Sequence, residues 1–160
     1  MLSRLKVFAH IPWYVLFLSI YPVFTLYAHN ASETDVANLW RPLFISVGAA
    51  GVFLLLFRLI LKDWCRAALV TVILVVMFVA YGHVYTNLKY LPFISPFVHH
   101  RLLLPIWGVV TGLGVWLALR RAARPEKLTI ILNVMGAVAL IFPLVQVGLF
   151  FTRARQAQTD

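Results

Sequence analysis

Arg120–Lys127, RRAARPEK, places four positive charges in eight residues between two long apolar runs. Translocating Lys and Arg is disfavoured, so a basic cluster of this density beside an apolar run marks the cytoplasmic side of a membrane. With that loop inside, alternation sets the side of every other loop. Composition agrees with a membrane setting: the chain is 62% hydrophobic and 12% charged, with a mean hydropathy of +0.91, too apolar for a domain that must wet its surface. Lys plus Arg number 14 against 5 Asp plus Glu, a formal charge of +9. These cations sit in short clusters between apolar runs of about twenty residues, which reads as topology signal and lipid-headgroup contact and argues against nucleic acid as a partner. The single cysteine, Cys65, excludes an intramolecular disulfide, a CxxC redox pair and a cysteine-based zinc site. It is either a small apolar residue near the inner surface or a palmitoylation site.

Working outward from the basic loop, the apolar runs predict an all-α integral membrane fold: a bundle of five transmembrane helices, N-terminus cytoplasmic and C-terminus extracytoplasmic. The spans fall at about 7–28, 42–61, 67–85, 102–119 and 128–151, in one membrane domain, with 152–160 a polar tail or the start of a linker. The first run is about 22 residues long and ends in LYAHNAS without a good small-x-small cleavage site, so it reads as a retained span and not a signal peptide. Pro22 within it should leave the carbonyl of Leu18 without its amide donor and kink the helix, with Ser19 or a neighbouring helix supplying a partner. Trp40 anchors the second span at the interface, with Pro42 in its first turn. Lys62–Arg66 is a very short inner loop, so the second and third spans are antiparallel neighbours. Pro105 is expected in the first turn of the fourth span, and Pro125-Glu126 as the start of the fifth.

Sorting the cations by side tests this arrangement. Arg4, Lys6, Arg58, Lys62, Arg66, Arg120, Arg121, Arg124 and Lys127 fall inside; Arg41, Lys89, Arg101, Arg153 and Arg155 fall outside. Nine against five supports N-in, C-out. Trp13, Trp64 and Trp116 near the inner surface, and Tyr27, Trp40, Tyr81, Tyr85, Tyr90 and Trp107 near the outer, form the expected aromatic belts. Small residues point to close helix crossings. Gly48 and Gly51 flank a small-residue patch in the second span, and Gly108 and Gly112 form a GxxxG, extended by Gly114, that suits a tight contact within the bundle or in a homo-oligomer.

Material for catalysis is sparse. Glu33 and Asp35 share an outer loop, Asp63 and Glu126 lie inside, and Asp160 is terminal, so no three carboxylates converge. There is no GxSxG, P-loop or HExxH. The reading is a non-enzymatic chain with no catalytic residues, no cofactor and no metal. His99 and His100 are adjacent, without helical i,i+4 spacing and without a nearby carboxylate, which is poor ligand geometry. Asn133 and Gln146, with Thr71 and Thr111, suit interhelical hydrogen bonding better than a transport path, because no ionisable residue lies near the bilayer midplane.

One outer region combines unlike features. Tyr81, His83, Tyr85, His99, His100 and Arg101 put polar groups at headgroup depth, and Leu91–Val98, LPFISPFV, is apolar yet too short to span. These are either interfacial side chains that set depth or a shallow outer-leaflet pocket for an anionic lipid headgroup, with LPFISPFV as its floor and Arg101 on the phosphate. In the second case protonation of the histidines strengthens binding at lower pH.

Ile20–Gly51, IYPVFTLYAHNASETDVANLWRPLFISVGAAG, together with KDWCRAALVT at Lys62–Thr71 and AYGHVY at Ala80–Tyr85, resembles the N-terminal five-helix membrane region of bacterial sulfatase-like, alkaline-phosphatase-superfamily proteins, including lipoteichoic acid synthase-type enzymes. The resemblance covers about residues 11–150. In that family the catalytic domain follows the last helix on the outer side; here the chain reaches Asp160 where the linker begins, and no family catalytic residue has a position to be carried onto. The resemblance implies a non-catalytic module in a bacterial inner or plasma membrane that anchors or partners an extracytoplasmic enzyme acting on an envelope phosphate or sulfate ester. The alternative is a self-standing small membrane protein, a transporter subunit or an oligomeric scaffold assembled through GVVTG.

Overall fold

The computed structural model describes residues 11–122 and 125–159. Arg4, Lys6, His10 and the opening of the first expected span lie outside the described residues, as do Arg124 and Asp160. Five α-helices follow one another: α1 (Tyr14–His29), α2 (Trp40–Leu61), α3 (Trp64–Lys89), α4 (His100–Arg121) and α5 (Pro125–Thr159). Short 3-10 turns at Val36–Asn38 and Ser95–Phe97 complete the described residues, which contain no strand. The last four helices are long and apolar enough to cross a membrane, α5 over Pro125–Thr152; α1, with 16 residues, is a shorter apolar helix. At 1.5 Å per residue α2 is about 33 Å long, close to a bilayer hydrocarbon core of about 30 Å. Trp40 and Lys62 therefore mark opposite ends of a helix of membrane-spanning length. The end bearing Asn30, Lys89 and His100 is called the Asn30 end below, and the other the Lys62 end.

Local signals explain where the helices start and stop. Asp63 has an extended backbone and its Oδ1 accepts from the Arg66 N–H at 2.7 Å, a side-chain cap that starts α3 at Trp64, three residues earlier than the apolar run suggests. Lys62, with φ 55°, is the C-terminal cap of α2, and its N–H donates to the Arg58 carbonyl. A left-handed cap reverses the chain within two residues, so α2 and α3 lie side by side as their short loop demands. α4 starts at His100, not Leu102, so Pro105 falls beyond the first turn and removes an amide that would have donated to the Arg101 carbonyl.

α1 and α3 form the centre. The most extensive helix contact is between α1 and α5; α2 packs on α3 and α1, and α3 also touches α5. Among the described residues α4 packs against α3 alone. One core cluster near the Lys62 end joins Tyr14, Val15, Ala50, Ala68 and Val72. A second near the Asn30 end joins Tyr27, Ala31, Leu39 and Val147. Most other large apolar side chains face outward, which is compatible with a bilayer around the helices.

The close helix contact is not at the glycines picked out by motif. Gly48, Gly51, Gly108 and Gly112 have nothing within 4 Å of where a Cβ would stand, so within one chain each borders open space and not a packed helix. The tight approach is at Gly136 of α5, where a Cβ would lie 3.2 Å from the Phe17 Cβ and 3.5 Å from the Tyr14 Cα of α1. Beside it, Asn133 Oδ1 accepts from the Tyr14 N–H and its Nδ2 donates to the Ile11 carbonyl, each at 2.9 Å. Asn133 thus makes the expected interhelical bonds. Thr71 and Thr111 do not, since their hydroxyls donate to Ala67 and Trp107 carbonyls in their own helices, and Gln146 is exposed. Around Pro22, the neighbour's donor comes one residue along from the expected carbonyl. Ser46 Oγ of α2 donates to the Ser19 carbonyl at 2.7 Å, and Ser19 Oγ turns back to Leu16.

Candidate functional site

The Asn30 ends of α3 and α4 come together through an aromatic cluster. Tyr81 and Tyr85 are one turn apart on α3 and stack at 6.2 Å, as residues four apart on one helix face can. His100, first residue of α4, lies flat on Tyr85 with ring centroids 3.9 Å apart and 13° between planes. Its Nδ1 shares a 2.7 Å hydrogen bond with the Tyr81 hydroxyl. Two turns further along α4, Trp107 meets Tyr81 edge-on at 6.0 Å and donates from Nε1 to the Met77 carbonyl at 2.9 Å. The Lys89 ammonium lies 5.5 Å from the Tyr85 ring centroid, within reach of a cation–π contact.

Of the six residues singled out from sequence, the structure brings together Tyr81, Tyr85 and His100. It leaves out His83, His99 and Arg101, each exposed. His83 sits between the two tyrosines in sequence, and two residues round a helix is about 200°, so it points away from the face they share. Leu91–Val98 does not form a floor: Phe93 is 93% exposed and Phe97 72%, while Val98 alone of the large apolar side chains there is buried. The segment leaves both of its phenylalanine rings exposed.

The apolar surface is supplied instead by the helices. A groove of about 1240 Å³ runs along α3 between α2 and α4, with α1 behind it, bounded by Pro22, Ile45, Phe53, Phe78, Leu104 and Trp107. It exists because α4 splays so far that it touches only α3, while the α2 wall opposite is thinned by Ala49 and Ala50. Asn30, Thr34 and Asn38 line its rim at one end, and Tyr81 and Trp107 form its shoulder. Phe78 and Ile45 are 83% and 72% exposed, so the groove opens sideways, towards the bilayer if the helices span one. Chemically it can take hydrocarbon along its length and neutral hydrogen-bonding groups at its rim.

Sequence reasoning put Trp107 and Lys89 at the outer end without assigning them to the site, and it missed the groove itself. Trp107 was detectable, since it follows His100 by seven residues and so shares its helix face. The groove was not, because it depends on the angle between α3 and α4. Among the described residues no three His, Cys, Asp or Glu side chains are grouped to hold a metal ion. Comparison with known protein families, with curated proteins and with solved structures finds no match.

Proposed function

We propose that this chain is a multi-pass membrane module, N-terminus cytoplasmic and C-terminus extracytoplasmic, that anchors or partners an enzyme acting outside the membrane on an envelope phosphate or sulfate ester. The observation that carries the reading is the length of α5. Its 35 residues run unbroken from Pro125 to Thr159, although only Pro125–Thr152 is apolar enough to span. At 1.5 Å per residue the whole helix is about 52 Å long, some 20 Å more than a hydrocarbon core. A continuous helix that leaves the bilayer transmits position to whatever it holds, and α1 packs against its middle, from Asn133 to Val147. The groove beside α4 then faces the outer leaflet and receives the hydrocarbon part of a lipid near the anchored enzyme.

Reporter fusions after Thr159 test the orientation. Alkaline phosphatase there is expected to be active and green fluorescent protein dark; the reverse result overturns the anchoring role. A photo-crosslinker at Gln156 is expected to capture an enzyme of the phosphate- or sulfate-ester class in the native membrane.

A second reading, a self-associating scaffold, is favoured by one observation. α4 has no buried residue and presents Gly108 and Gly112 to open space. Crosslinking through position 112 to another copy of the chain supports this second reading.

A further inference from the structure

At the Lys62 end, on the opposite side of the bundle from the aromatic cluster, a separate cavity of about 650 Å³ lies between α1 and α2. We propose that it binds one anionic phospholipid of the leaflet on that side, acyl chain in the cavity and phosphate on Arg58. The proposal rests on the membrane reading but not on the enzyme-anchoring role or on which side is cytoplasmic.

The cavity extends from Ser19 and Val47, about the middle of the bundle, to Trp64 at its mouth, past Leu16, Gly51 and Leu54. Ser19 offers it no free hydroxyl, which is donated to Leu16, and no free carbonyl, which Ser46 takes. Its size falls within the range of about 300–1,000 Å³ common for ligand pockets. Hydrocarbon fits such walls. A free phosphate ion would leave them unfilled.

The charge lies beside the mouth, next to the lining residue Trp64. Trp64 is 49% exposed, lines the cavity and carries the Arg58 guanidinium 5.3 Å from its ring centroid. Arg58 is half-buried, and its Nε is covered by protein with no hydrogen-bond partner. The outer guanidinium nitrogens are donors that a phosphate oxygen can engage in charge-assisted hydrogen bonds. Arg58 sits three residues before the end of α2, so its Cα lies about 5 Å inside the helix terminus, and its guanidinium reaches out to Trp64, as a snorkelling arginine does to meet headgroups. Lys62 and Arg66 add two exposed cations close in sequence, and the one carboxylate among them, Asp63, is engaged in capping α3. This surplus attracts an anionic headgroup. It repels the equally basic end of a second copy, which argues against a dimer filling the cavity.

Native mass spectrometry of the detergent-purified full chain, titrated with dioleoyl phosphatidylglycerol or dioleoyl phosphatidylcholine, tests the assignment. One phosphatidylglycerol is expected to bind in preference to phosphatidylcholine. Arg58→Gln should weaken phosphatidylglycerol about tenfold or more and phosphatidylcholine less, because the choline ammonium already offsets the charge of the shared phosphodiester, and Arg58→Lys should lose less than Arg58→Gln. Gly51→Leu fills the cavity without touching the charge and should reduce binding of both lipids, since nothing lies within 4 Å of the added Cβ to disturb the fold. Arg101→Gln, at the Asn30 end, should change neither. Inorganic phosphate should not compete. The proposal is overturned if Arg58→Gln and Gly51→Leu leave binding intact, if Arg101→Gln matches Arg58→Gln, or if phosphate displaces the lipid. It is equally overturned if Gly51→Leu converts a dimer to a monomer, which makes a second copy the occupant.

Discussion

Asn133 of α5 holds the start of α1 and the chain leading into it, accepting from the Tyr14 N–H and donating to the carbonyl of Ile11, three residues before the helix, each at 2.9 Å. The first amides of a helix have no partner within it, and in a bilayer water cannot supply one. One side chain from a neighbouring helix therefore does the work of an N-terminal cap and ties the last helix to the first.

Asn133→Leu should lower stability by about 1–3 kcal/mol, since two bonds across helices are lost and the Tyr14 amide is left bare. Asn133→Asp retains only the acceptor and should recover part of that loss. Thermal unfolding in detergent ranks the three proteins; equal melting of wild type and Asn133→Leu counts against a capping role.

Gly136→Leu should be destabilising by about 1–3 kcal/mol through overpacking against Phe17 and the α1 backbone. Gly108→Leu and Gly112→Leu should leave the stability of a single chain unchanged, because each faces open space. Unfolding measured on monomeric protein tests the contrast. A loss at Gly108 or Gly112 seen only in the bilayer, with a change in oligomer size, places those glycines between copies.

The α3–α4 contact near the Asn30 end should depend on His100 and Trp107. Trp107→Phe removes the bond to the Met77 carbonyl, and His100→Ala removes both the Tyr85 stack and the Tyr81 bond. Each should cost about 1 kcal/mol. Spin labels on Asn87 and Leu102 should report a broader distance distribution in the double variant, because few other contacts hold α4. An unchanged distribution shows that the cluster does not set the angle.

The Lys62 and Lys127 loops should lie on the same side, away from Ser32. In a Cys65→Ser background, an impermeant maleimide applied to intact cells should label a cysteine at Ser32 and neither at Lys62 nor at Lys127. Labelling at 127 with none at 32 reverses the N-in, C-out proposal.

Composition and the spacing of charge along the chain determined that this is a helical protein whose apolar segments are the length of membrane spans. Both properties are local: about twenty apolar residues between charge clusters need no partner to be recognised. The antiparallel pairing of α2 and α3 was equally legible, because a loop as short as Lys62–Arg66 permits little else. Helix ends were less so, and Asp63 shows why: a capping carboxylate overrides the apolar count by satisfying the Arg66 amide.

Which faces meet was decided by tertiary structure. Small residues license close approach in every helix that has them, so GxxxG on α4 and GAAG on α2 looked as suitable as Gly136. Only the packing of α1 on α5 selects Gly136, and the stripe it belongs to, Thr129, Asn133, Gly136, Pro143 and Val147, is visible as a spacing of three, four and seven once the partner is known. The same holds for the candidate sites. Tyr81, Tyr85 and His100 could be nominated by helix spacing. The groove beside α4 and the cavity under Arg58 are spaces between helices, and a space has no residues of its own to be read in a sequence.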